Sequence, residues 1–197
     1  MPMLNIYGIT EFVGESGAGK TKLALGIEKE VKTIYLSIDN SGTPPLSPNV
    51  IHFKIKTFIE LKVFVAKELK RVAKVLEIKK IIIDGLENYL YTVEQPRKMA
   101  NDIFRIIKVL RYLCFVKKIY VIVINSSYGK WNNEGVSIAN RYFGLPWEYL
   151  INTRFLISRH SKHREVIELN SKEKFTFFIT DSGIEFETHE SLSDIPV

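Results

Sequence analysis

The chain has 197 residues, of which 46% are hydrophobic, and a formal net charge of +6 at pH 7. That length suits one compact domain, and that apolar share suffices for a core. No run approaches the roughly 18 apolar residues of a membrane span, residues 1–10 lack the features of a secretory signal, and the single cysteine, Cys114, excludes an internal disulfide and fits a reducing cytoplasm. The positive balance suits a polyanionic partner such as nucleic acid, although many exposed lysines on any soluble domain produce the same value.

Residues 9–13 are β-branched and aromatic and predict a strand. Gly14, Glu15, Ser16, Gly17, Ala18, Gly19, Lys20 and Thr21 then match the P-loop pattern at every fixed position. Leu23, Ala24, Leu25 and Ile27 follow with helical spacing. In such a turn the glycines let backbone N–H groups approach phosphate oxygens, and the helix start faces the same anion. Lys20 reaches the β- and γ-phosphates, and the Thr21 hydroxyl is offered to Mg²⁺. The expected nucleotide-binding set is Gly14 to Thr21 plus Lys22.

Residues 33–38 form a continuous apolar run, as in a parallel strand buried on both faces. A loop with three prolines follows at 40–49, and a short strand at 50–55. The pattern over 58–76 predicts a long amphipathic helix, with Lys62, Lys67, Lys70, Arg71 and Lys74 on its solvent side. Residues 79–84 read as a third core strand ending in Asp84. An apolar strand closed by an acid, downstream of a P-loop, is the Walker B pattern, and Asp84 becomes the second candidate for the Mg²⁺ shell. An ordinary strand-end aspartate is the alternative.

A helix is predicted from Pro96 to about residue 116, then a fourth core strand at 119–124 running into Asn125, Ser126 and Ser127. Residues 128–145 are polar and contain glycine, as in a functional loop. Strands are predicted at 152–158, 165–169, 175–180 and 184–186, extending the sheet as an antiparallel edge. His160 and His163 stand three apart in a predicted turn without a carboxylate or thiol cluster, which argues against zinc.

The parts in this order resemble the RecA/RadA recombinase superfamily. The resemblance rests on GITEFVGESGAGKTKLAL at 8–25, TIYLSID at 33–39, KKIIIDGLENYL at 79–90, YVIVINSS at 120–127, and the pairs Thr10-Glu11 and Thr153-Arg154. It is most similar to short archaeal RadA paralogues that consist of the ATPase core alone. The resemblance implies a RecA-like α/β fold: a mostly parallel central sheet flanked by helices, with antiparallel C-terminal strands on one edge. It implies ATP and Mg²⁺ as ligands, Lys20, Asp39 and Asp84 as catalytic residues, and Thr21 and Asp84 as metal ligands. Asp39 matches the position of the family's catalytic glutamate. Ser126, after Asn125, matches that of its phosphate-sensing glutamine. Both departures imply slow hydrolysis.

The family's two DNA loops match residues 91–99 and 127–144, which makes Arg97, Lys98, Lys130, Trp131 and Arg141 candidate contacts for single-stranded DNA. Only about eight residues precede the core, so a filament of the recombinase kind is not expected, and a monomer or small oligomer is. The implied role is that of a slow, DNA-associated ATPase, an accessory factor in homologous recombination and DNA repair that assists the main recombinase RadA. Two other classes stay open: a nucleotide-dependent interaction module with little hydrolysis, and a P-loop small-molecule kinase.

Overall fold

A computed structural model describes residues 4, 6–38, 47–91, 96–126 and 145–187. Among these described residues nine strands form one sheet: β1 Ile9–Gly14, β2 Thr33–Ile38, β3 Val50–Ile55, β4 Lys80–Asp84, β5 Tyr120–Ser126, β6 Thr153–Arg159, β7 Arg164–Glu168, β8 Lys174–Thr180 and β9 Gly183–Phe186. Their order is β3-β2-β4-β5-β1-β6-β7-β8-β9. The first six run parallel and the last three antiparallel. The protein is therefore α/β with a mostly parallel central sheet and antiparallel C-terminal strands.

The burial of the strands explains their sequences. Strands β1, β2 and β4 are buried at every residue. A strand covered on both faces has no wet side, so its hydrophobic run is continuous rather than alternating. One face carries α2 Phe58–Val63 and α3 Leu69–Val75, joined by a π-helical turn at Phe64–Glu68, together with α4 Pro96–Lys117 and α5 Leu145–Leu150. Leu61, Leu69, Ile107, Leu110 and Trp147 pack there against Ile81, Val121 and Val123. Among the described residues, the helix on the other face is α1 Lys20–Gly26, whose Leu23 and Ala24 meet Phe12, Tyr35 and Phe155. Ile179 of β8 and Ile184 of β9 close over the same cluster.

Several details depart from the sequence pattern. The helix over 58–76 is not uniformly α; a π turn interrupts it, while its start is set by a reciprocal cap between Thr57 and Glu60. Strand β6 is the junction with the antiparallel edge: it pairs antiparallel with β7 but parallel with β1. Strand β5 runs two residues further than predicted, through Ser126. Residues 96–99, assigned to a DNA loop, lie in the first turn of α4, and 86–91 form a 3₁₀ helix. Residues 145–150 form a helix. Among the described residues, no helix is long and apolar enough to cross a membrane.

Candidate functional site

The carboxyl ends of β1, β4 and β5 lie side by side. Gly14 is in register with Ser126, and Asp84 with Ile124. In an open parallel sheet this edge is where ligands collect, since the turns into the helices open there. Residues 15–19 leave β1 and turn directly into α1.

Two glycines in that turn have identifiable causes. Gly19, the residue before α1, has φ +98°, and a Cβ there would lie 2.8 Å from Ile179 Cδ1. Gly14 needs the absence of a side chain for another reason: a Cβ would sit 2.1 Å from the Ile157 carbonyl oxygen of the neighbouring strand. Gly14 thus lets β1 and β6 close up, and Gly19 lets the chain reverse into the helix. The Lys20 ammonium curls into the turn and donates to the carbonyl oxygens of Gly14 at 2.7 Å and Glu15 at 2.8 Å. Burial lowers its pKa, while the carboxylates of Glu87, Asp84 and Glu15 oppose that shift. An anion held in the turn would oppose it further.

Thr21 and Asp84 come together across the site. The Thr21 hydroxyl donates to Asp84 Oδ2 at 2.7 Å, and the Tyr35 hydroxyl donates to the same oxygen at 2.8 Å. Adjacent oxygens in an octahedral Mg²⁺ shell lie about 3 Å apart. A hydroxyl and a carboxylate at this separation suit neighbouring positions on one ion. No group of three or more His, Cys, Asp or Glu side chains is placed to hold a metal among the described residues.

The sequence pattern singled out no role for Glu87, yet the fold brings it to the same place. Asp84 ends β4, Gly85 donates its N–H to the Ile124 carbonyl oxygen at 3.0 Å, and the 3₁₀ turn carries Glu87 over β5. Glu87 is 3% exposed. Its Oε1 accepts from the Ser126 backbone N–H at 2.6 Å, and its Oε2 is buried with no hydrogen-bond partner among the described residues. Burial raises its pKa, with the nearby Asp84 charge adding a smaller push. The available signal was an acid three positions after Asp84 in Asp84-Gly85-Leu86-Glu87, too common a spacing to single out without the 3₁₀ turn.

No protein-family model matches the chain, and no curated protein matches it.

The other residues divide by location. Asn125 is fully buried, and its amide donates to Glu11 Oε1 at 2.7 Å. Glu11 also accepts from Trp147 Nε1 at 3.1 Å and pairs with Arg154 at 2.8 Å. Asn125 is thereby tied to the buried acid of β1, whereas the backbone of Ser126 is tied to Glu87. Arg97 and Lys98 lie near the start of α4. Asp39, Lys130, Trp131 and Arg141 lie outside the described residues. The rings of His160 and His163 stack with centroids 4.8 Å apart. Cys114 donates its thiol to the Gly8 carbonyl oxygen at 3.1 Å, and burial pushes its pKa up to about 12, which leaves almost no thiolate at neutral pH.

Proposed function

We propose that this protein is a RecA-like P-loop ATPase core that binds Mg²⁺ and ATP at the edge formed by β1, β4 and β5. The observation that carries the reading is the meeting of Thr21 with Asp84, the two residues that the P-loop and Walker B patterns assign to one metal ion. The glycine turn and Lys20 would hold the phosphates. Thr21 and Asp84 would hold Mg²⁺, which neutralises phosphate charge when bound.

Hydrolysis further needs an acid that orients a water molecule. Asp39, which follows β2 directly in sequence, is the candidate from the family resemblance. Glu87 is the candidate from the fold: it is buried beside Lys20 and Asp84, and one carboxylate oxygen is already fixed by the Ser126 backbone N–H, while the other has no hydrogen-bond partner among the described residues. A fixed acceptor needs little reorganisation during reaction. Slow turnover, an association with single-stranded DNA, and a role beside the recombinase RadA in recombination and repair complete the proposal, supported by the motif order in the sequence.

The test is thermal unfolding with Mg²⁺ and ATP. A ligand at about 100 times its dissociation constant adds about 2.7 kcal/mol of stability. Wild-type protein should show a raised unfolding midpoint and Lys20→Ala none. An equal rise in both proteins would remove the P-loop from the reading.

A further inference from the structure

A second concave site lies at the opposite edge of the sheet. Strands β2, β4 and β5 run parallel, so their amino ends share the edge away from Asp84. A cavity of about 790 Å³ opens there. Lys32 precedes β2, Lys79 precedes β4, Lys70 and Lys74 come from α3, and Tyr112 and Lys117 from the end of α4. Its volume is in the range of ligand-binding pockets, and its floor is apolar.

The charge on its rim is one-sided. Arg71 on the rim pairs with Glu68, and Lys32 pairs at 3.7 Å with Glu77, the one acid lining the cavity among the described residues. Lys70, Lys74, Lys79 and Lys117 are exposed and have no carboxylate within 4.0 Å among the described residues. Helix ends account for part of this, because Lys74 and Lys117 lie in last turns, where a cation complements the helix dipole. Lys70 and Lys79 have no such explanation. Like charges around a concavity concentrate a positive field in it.

Aromatic rings stand among these cations. Tyr112 is 40% exposed, with Lys70 4.6 Å from its ring centroid. Phe115 is 49% exposed and lies one helical turn on, with Arg111 5.6 Å from its centroid. Both rings keep their exposure on a helix whose inward stripe is fully packed. Exposed rings among cations that no described carboxylate neutralises are what an unstacked strand requires: faces for bases, and charges for the phosphates between them. A small phosphate compound would use the cations but leave Phe115 unexplained. A duplex offers no free base faces.

We propose that this cavity and the adjoining end of α4 bind single-stranded nucleic acid, with Lys70, Lys74, Lys79 and Lys117 meeting phosphates and Tyr112 and Phe115 meeting bases. The site is separate from the P-loop edge, at the other end of β4, and does not depend on nucleotide binding there.

Fluorescence anisotropy with labelled oligothymidylate, oligouridylate and a duplex of equal length tests it, across about 50 to 200 mM salt. The variants are the surface triple Lys70→Glu/Lys74→Glu/Lys117→Glu and the pair Tyr112→Ala/Phe115→Ala, each checked for an unchanged unfolding midpoint. Wild-type protein should bind at least one of the single strands more tightly than the duplex. The triple variant should bind at least about 10-fold more weakly, with the salt slope smaller by about two, as three lost phosphate contacts require. The aromatic pair should weaken single strands without changing that slope. Unchanged affinity in the triple variant overturns the proposal, as does absence of binding by wild-type protein. Equal binding of duplex and single strand, insensitive to the aromatic pair, overturns it too. If the triple variant fails to fold, Lys79→Glu/Lys117→Glu serves in its place, with the salt slope expected to fall by more than one.

Discussion

The Thr21 hydroxyl and Asp84 Oδ2 lie 2.7 Å apart, although 63 positions separate them in the chain. The contact exists because β5 is inserted between β1 and β4, which sets the helix start after β1 over the end of β4. If both residues serve one ion, nucleotide binding must depend on the metal. ATP with Mg²⁺ should raise the wild-type unfolding midpoint more than ATP with a chelator. Asp84→Ala should abolish that difference, and Thr21→Ser, which keeps the hydroxyl, should retain most of it. A metal-dependent rise that survives Asp84→Ala would separate Asp84 from the ion.

Glu87 divides stability from activity. Its buried carboxyl has a raised pKa, so the folded protein keeps that proton to higher pH than the unfolded chain. The unfolded chain releases it first, and stability falls as pH rises through the window above the ordinary glutamate value of 4.5. Glu87→Gln removes this loss and should leave the protein at least as stable at pH 7. The same change should lower ATP turnover by at least about 100-fold if Glu87 orients the water. Asp39→Asn, measured alongside, should have the smaller effect. Turnover preserved in Glu87→Gln would return the role to Asp39.

Glu11 and Arg154 form an ion pair between neighbouring strands, in which Glu11 has no solvent exposure. Removing only Arg154 leaves a buried carboxylate without its counter-charge, which costs about 3–5 kcal/mol. Arg154→Met should therefore lower the denaturant midpoint strongly. The double variant Glu11→Gln/Arg154→Met should recover much of that loss, because the uncompensated charge is gone. Equal destabilisation of single and double variants would place the effect in packing.

Lys80 enters the core from β4, and its ammonium donates to the carbonyl oxygens of Ala24, Leu25 and Ile27 at the end of α1. Burial lowers its pKa from 10.5 to about 8, with Glu28 opposing. Between those values the unfolded chain binds more protons than the folded one, so stability rises with pH across the window and is flat in this respect below it. The full depression corresponds to about 3 kcal/mol. Urea unfolding of wild-type protein should show this rise, and Lys80→Met should lack it. Parallel pH profiles would show that Lys80 does not titrate there.

What could be read from the chain alone was whatever neighbouring residues decide. The continuous apolar run of β2 announced a strand covered on both faces, that of β4 announced a core strand ending in an acid, and the glycine turn before Lys20 announced itself by spacing. The terminal strands were legible too, although the parallel pairing of β6 with β1 was not, because β6 lies beside a strand 143 residues earlier and no local pattern carries that pairing. Glu87 was invisible as a site residue. An acid three positions after a strand end is usually solvated, and only the 3₁₀ turn over β5 buries it against Ser126. Local pattern determined the elements and the motif that opens α1. Tertiary structure decided which side chains share a site, because strand order is set by burial summed over the whole sheet, and no short window of sequence contains that sum.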